Sequence, residues 1–157
     1  MREWAGKRYW LVGASEGLGR SLAEVMSEAG IELILSARNE ARLSELAETL
    51  PGRVDVKALD ISDLDAVLAA KDEIGEIDGM VFLAGVYWPM PAQNLDPNKA
   101  EAMVDVNFTG AMRVVSAVLP EFVARDAGHI LITGSLSAFR GLPGAVGYAA
   151  SKAGTMV

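Results

Sequence analysis

The sequence predicts an α/β fold in which a doubly wound parallel sheet of about five strands carries helices on both faces. Three observations predict it. Short apolar runs suited to buried strands recur along the chain, stretches of helical period separate them, and a glycine-rich turn joins the first run to the first helix. Right-handed crossovers then give the strand order 3-2-1-4-5, with ligands received at the carboxyl ends of the strands.

The strand runs are residues 9–12, 33–37, 54–59, 80–84 and 130–133, each apolar enough to be covered on both sides. The first intervening helix is expected to bury Leu18, Leu22, Val25, Met26 and Ala29. Leu43, Leu46 and Leu50 mark the second, and Leu64, Val67 and Leu68 the third. Asp63 or Ser62 suits the cap of that third helix. Asp96 followed by Pro97 reads as an N-cap and a first helical residue, opening a long helix through Ala102, Val106, Val114 and Val118 towards Pro120, which Gly110 is placed to interrupt. A last helix is expected to start near Tyr148. No linker, low-complexity tract or repeat divides the 157 residues, so one domain is expected.

Composition narrows the function classes. A formal net charge of -7 opposes nucleic acid and anionic lipid as partners. With no cysteine and one histidine, His129, neither thiolate nor histidine-rich metal sites can form, and no metal is expected. The first fifteen residues lack a secretory apolar region, and no later run supplies the roughly 20 apolar residues of a membrane span. A cytoplasmic protein is expected. His129, before the fifth strand, reads as structural or surface.

The turn Gly13-Ala14-Ser15-Glu16-Gly17-Leu18-Gly19 lies where a strand becomes a helix, which makes the fold Rossmann-like. Gly13 permits the tight exit from the strand, Gly17 admits a pyrophosphate to the backbone, and Gly19 lets the helix approach the sheet. Free N–H groups at the helix start favour an anion. The Gly-x3-Gly-x-Gly spacing differs from the common dinucleotide fingerprint and equally suits a plain structural turn. After the second strand stands Arg38, where a guanidinium pairs with the 2'-phosphate of NADP and an acid would select the ribose of NAD. NADP is therefore preferred over NAD, against the alternative of a solvated charge. Asp60 and Ile61 are placed to bond to and pack on an adenine, or to form an ordinary loop.

Tyr148 and Lys152 are four residues apart and share a helix face. Reduction of a ketone by hydride leaves an alkoxide that needs a proton, and a phenol serves as its donor and acceptor when a cation favours the phenolate. Ser135, after the fifth strand, is placed to hydrogen-bond the substrate oxygen. An ordinary amphipathic face would show the same Tyr/Lys spacing.

Together these residues resemble the classical short-chain dehydrogenase/reductase family over essentially the whole chain. The resemblance rests on Gly13, Gly17 and Gly19, Asp60-Ile61, Ala84-Gly85, Asn107 in Asp105-Val106-Asn107, and Ser135 thirteen residues before Tyr148 with Lys152. It implies Tyr148 as general acid or base, Lys152 on the nicotinamide ribose, Ser135 orienting the substrate oxygen and Asn107 supporting a water relay. It also implies a cofactor site of Gly13, Ser15, Gly17, Leu18, Gly19, Arg38, Asp60, Ile61, Ala84 and Gly85, joined by Tyr148 and Lys152. The implied substrate is a small carbonyl compound or alcohol, and a homo-oligomer formed through the long helices is expected. Val12 and Phe82-Leu83 depart from the family's usual threonine and paired asparagines, removing hydrogen bonds that brace the central strands. Members usually run to about 250 residues. The resemblance therefore implies a domain truncated at its C-terminus, lacking the family's last strands, so that the fifth strand becomes an open edge and apolar surface is exposed. The competing expectation is a nucleotide-binding module that acts through protein interaction. Tyr87, Trp88 and residues 139–146 either line a substrate cleft or pack against further chain.

Overall fold

The computed structural model describes residues 4–156. Its five-stranded sheet has the order β3-β2-β1-β4-β5, and all four strand pairs are parallel. The strands are β1 (Arg8–Val12), β2 (Glu32–Ala37), β3 (Val54–Ala58), β4 (Gly79–Phe82) and β5 (His129–Ile132). The crossover helices are α1 (Gly17–Glu28), α2 (Glu40–Thr49) and α3 (Leu64–Ile74). Then come α4 (Pro97–Val104), α5 (Gly110–Ala124) and α6 (Val146–Gly154).

Two apolar layers sandwich the sheet. Trp10, Val12, Ile34, Met80 and Phe82 point towards α3 and α5, where Val67, Ile74, Val114 and Val118 meet them. Tyr9, Leu11, Leu33, Leu35 and Val81 point the other way, towards Ala23, Met26, Leu43 and Leu46 of α1 and α2. Alternation along each strand, with both faces covered, accounts for the nearly unbroken apolar runs. Val12 and Phe82 are buried in the first layer, so apolar packing occupies the positions where the family's hydrogen-bonding side chains are expected. The Trp10 indole N–H donates to the Ser36 hydroxyl at 2.9 Å, which satisfies the polar edge of that ring.

The helix faces differ in part from expectation. In α1, Ala23 and Met26 are buried and Leu22 is partly buried, while Leu18, Val25 and the C-cap Ala29 are exposed. Gly19 brings the first turn of the helix onto the strand exit, where a Cβ would meet the Gly13 carbonyl, so the face through Gly19, Ala23 and Met26 is the packed one and Leu18 stands outside it. In α3, Val67, Ala70 and Ile74 face the core, and Leu64 and Leu68 do not. Asp63, not Ser62, caps that helix, its side chain accepting from the Ala66 N–H at 3.1 Å.

The long helical region runs from Pro97 to Ala124, with Asp96 as its N-cap and a π-helical segment at Asp105–Thr109 just before Gly110. It continues through Pro120. That proline is exposed, as is Ser116, whose carbonyl loses its helical partner and faces water. By length and mean hydropathy alone this region could cross a membrane. Its apolar side instead packs on α3 and the sheet, and Arg113 pairs with Asp105 at 2.9 Å on its flank, so it is a core helix. His129 is paired: its Nδ1 lies 3.0 Å from the Tyr9 hydroxyl. The outer edge of β5 pairs with no strand among the described residues, and Leu131 is exposed there.

Candidate active site

At the carboxyl ends of the strands lies an open cleft of about 750 Å³. Gly13, Ser15 and Glu16 form one wall, Ala37 to Glu40 with Arg42 a second, and Leu59, Asp60, Ile61 and Leu83 to Val86 the rest. Gly13, Ser15, Arg38, Asp60, Ile61, Ala84 and Gly85 thus converge from four separate segments.

The glycines show why these segments can meet. Gly13 has φ +96°, and a Cβ there would lie 2.3 Å from the Ala84 nitrogen. A Cβ on Gly19 would lie 2.0 Å from the Gly13 carbonyl oxygen. Gly17 is different: its φ is +55° and nothing lies within 4 Å of the missing Cβ. Gly13 and Gly19 therefore close the protein's own packing, whereas Gly17 leaves room for something else. The first turn of α1 begins there, and no side chain caps it. Unsatisfied N–H groups beside an open glycine fit a pyrophosphate. Gly17, Leu18 and Gly19 do not line the cleft; Gly17 and Leu18 are exposed on that first turn, and Gly19 sits beneath it against Gly13.

Arg38 is exposed on the cleft wall and makes no hydrogen bond or ion pair among the described residues. Its charge reaches Asp60. The Asp60 carboxyl is held below the usual carboxylate range, first by the Ser62 N–H at 3.0 Å and then by the Ser62 hydroxyl at 2.7 Å, with Arg38 and Arg113 adding smaller effects. Both Ser62 bonds fall on one carboxylate oxygen, and Ile61 packs inward against Gly110. Asp60 is thus both a turn-former and part of the cleft wall.

Beyond Gly85 the cleft gives way to the face of α6. A Cβ on Gly85 would lie 3.3 Å from the Asn107 Oδ1 and 4.0 Å from the Lys152 Nζ. Lys152 is only 4% exposed, yet no carboxylate among the described residues pairs with it; its ammonium donates to the Thr133 carbonyl at 2.9 Å. Burial holds that ammonium below the ordinary lysine range. Its Nζ lies 6.0 Å from the centroid of the Tyr148 ring. Tyr148 is half-buried, and its ring meets that of Tyr87 with centroids 4.6 Å apart. Ser135 caps the turn Leu136–Ala138, which packs against α6; its hydroxyl lies 2.9 Å from that of Ser137 and accepts from the Ser137 N–H at 3.2 Å.

Asn107 is fully buried in the π-helical segment. Its Oδ1 accepts from the Val86 N–H at 2.7 Å, and its Nδ2 donates to the Val86 carbonyl at 3.0 Å and to the Ser151 hydroxyl at 3.1 Å. The side chain therefore fastens the segment after β4 to α6, with both amide hydrogens engaged and one lone pair of its Oδ1 left over. The sequence reading missed this clamp, together with Ser137, Ser151 and the Tyr87 contact. Its partners are the backbone of Val86 and a serine on a distant helix, which leave no signal in the sequence.

Comparison with known proteins agrees with this geometry. The family model for short chain dehydrogenase matches residues 7–157. The chain belongs to that family. A sulfoacetaldehyde reductase of Chromohalobacter salexigens is 39% identical over 151 residues, covering 91% of this chain and 60% of the relative. An uncharacterized oxidoreductase of Myxococcus xanthus is 36% identical, over 98% of this chain and 63% of the relative. Among solved structures, a 3-oxoacyl-[acyl-carrier protein] reductase of Brucella melitensis with bound NAD superposes with a TM-score of 0.91 at 28% identity, covering 98% of this chain and 63% of that one. The chain thus spans somewhat under two thirds of the length of these relatives.

Proposed function

We propose that this chain carries the cofactor site and proton-transfer groups of an NADP-dependent oxidoreductase acting on a carbonyl compound or secondary alcohol. The observation that carries the reading is Lys152: a buried ammonium with no carboxylate partner among the described residues, beside the Tyr148 ring at the end of a cleft built like a dinucleotide site. A buried cation with no counter-ion is costly, and such groups cluster where chemistry needs them.

A nicotinamide bound past Gly85 would supply or accept hydride. Tyr148 then gives the proton to the substrate oxygen in reduction and takes it in oxidation, and the neighbouring ammonium favours the anion left behind. Ser135 donates to the same oxygen. Its hydroxyl accepts from the Ser137 N–H, and with the Ser137 hydroxyl as donor in the bond between the two serines its own proton is left for the substrate. Lys152 also has donors to spare for ribose hydroxyls. Asn107 holds Val86 and Ser151 in register, so the loop beside the cleft and the helix bearing Tyr148 keep one spacing. At the other end, Gly17 and the start of α1 would take the pyrophosphate, Asp60 and Ile61 the adenine, and Arg38 the 2'-phosphate. NADP is preferred over NAD because of Arg38. The relatives' reductase names support a carbonyl substrate without choosing one. The acidic, cysteine-free composition supports a cytoplasmic setting, and exposed Met112, Leu119 and Val123 on α5 support self-association.

NADPH oxidation against a panel of aldehydes and ketones tests the reading, with NADPH titration in parallel. Turnover with at least one carbonyl class is expected. Tight NADPH binding with no turnover on any would favour a nucleotide-binding module instead.

A further inference from the structure

Two residues at the cleft mouth break the local preferences of their helices, and they break them towards each other. Arg42 stands in the first turn of α2, where the helix dipole disfavours a cation. Glu16 is the N-cap of α1, but its side chain makes no capping bond, as expected for a side chain longer than the favoured Asp, Asn, Ser or Thr. Instead the Arg42 guanidinium donates to the Glu16 carboxylate at 2.5 Å, across the cleft mouth and on the same wall as Arg38. Both side chains are mostly exposed, so the pair is weak and can be exchanged.

We propose that Glu16 is a specificity-determining residue that competes with the cofactor's 2'-phosphate for Arg42. The inference rests on the reading of Arg38 as the 2'-phosphate partner. Arg38 and Arg42 are four residues apart, and together they present two guanidinium groups to one anion. Arg38 is free, whereas Arg42 must first leave Glu16. A 2'-phosphorylated nucleotide therefore gains a second guanidinium only at the expense of the Glu16 pair, and a nucleotide without that phosphate leaves the pair intact. Glu16 thereby narrows the preference that Arg38 sets. The other charges facing this pair are Glu40 on the cleft wall and Arg20, which is occupied by Glu24 and Glu45.

The test is titration of the chain with 2',5'-ADP and with 5'-AMP, for the wild type, Glu16→Gln, Arg42→Gln and the double variant. Glu16→Gln should tighten 2',5'-ADP by about three- to fivefold, the size of an exposed ion pair, and leave 5'-AMP unchanged. Arg42→Gln should weaken 2',5'-ADP, and in that background Glu16→Gln should have no further effect. Tightening that persists without Arg42 would overturn the competition and reduce Glu16 to a general repulsive charge. So would no response to Glu16→Gln in a protein that still prefers 2',5'-ADP, and in that case the NADP reading stands alone. Equal binding of both nucleotides by the wild type and every variant would defeat the NADP reading and this inference together. Thermal melts should match across all four proteins, because the side chains are exposed.

Discussion

The carboxamide of Asn107 takes both backbone groups of Val86, receiving its N–H at 2.7 Å and giving to its carbonyl at 3.0 Å, while also bonding the Ser151 hydroxyl. One buried side chain thus joins the loop after β4 to the helix that carries Tyr148 and Lys152. Replacing it by leucine would strand two part-buried backbone groups and remove the donor to the buried Ser151 hydroxyl. Asn107→Leu should lose about 2–4 kcal/mol of stability in urea melts. A loss under 0.5 kcal/mol would show that water replaces the clamp.

Gly13 and Gly17 both adopt positive φ, but only one is pressed by protein. Gly13→Ala should destabilise severely, by about 4 kcal/mol or more, because its Cβ meets the backbone of Ala84. Gly17→Ala should fold with a loss of about 1 kcal/mol and bind NADPH at least tenfold more weakly, since its methyl would occupy the open space beside the uncapped start of α1. Thermal melts and fluorescence titration separate the two. Equal stability losses would contradict the division of roles between them.

Burial depresses the Lys152 ammonium, so the unfolded chain holds that proton more tightly than the folded one. The cost to stability is fully present below the folded value and is relieved as pH rises through the window between it and the ordinary lysine range. Lys152→Met should therefore melt at or above the wild type at pH 7, by up to about 3 °C, with that advantage shrinking towards pH 10. A melt well below the wild type at pH 7 would mean that the bond to Thr133 outweighs the desolvation.

Arg38→Asp should weaken NADPH at least tenfold while changing NADH by less than about threefold, if one guanidinium carries the 2'-phosphate. Titration of both cofactors decides it. Parallel losses would leave Arg38 a solvated charge.

Much of this was legible in the sequence. Periodicity and the strand–glycine turn–helix order pointed to the sheet and its strand order, because each buried strand leaves an apolar run and each crossover helix a periodic one. The cleft was legible for the same reason: Gly13, Arg38, Asp60 and Ala84 follow four successive strands and so end on one rim. Helix faces were less so. Leu18 and Val25 looked like core because hydrophobicity was taken to mark the buried side, whereas the packed face runs through Gly19, Ala23 and Met26. The Asn107 clamp could not be read, because its partners are the backbone of Val86 and a serine 44 residues away, and backbone partners leave no trace in composition. The Glu16–Arg42 pair joins two helices that are adjacent only after folding.

The central claim is that Tyr148, beside the buried Lys152, moves the proton. The most direct measurement is the single-turnover rate of NADPH oxidation with a reducible carbonyl compound, for the wild type and Tyr148→Phe at saturating cofactor. The account predicts a fall of about 10²–10⁴-fold in that rate, with NADPH affinity held within about twofold. An unchanged rate in Tyr148→Phe would contradict it.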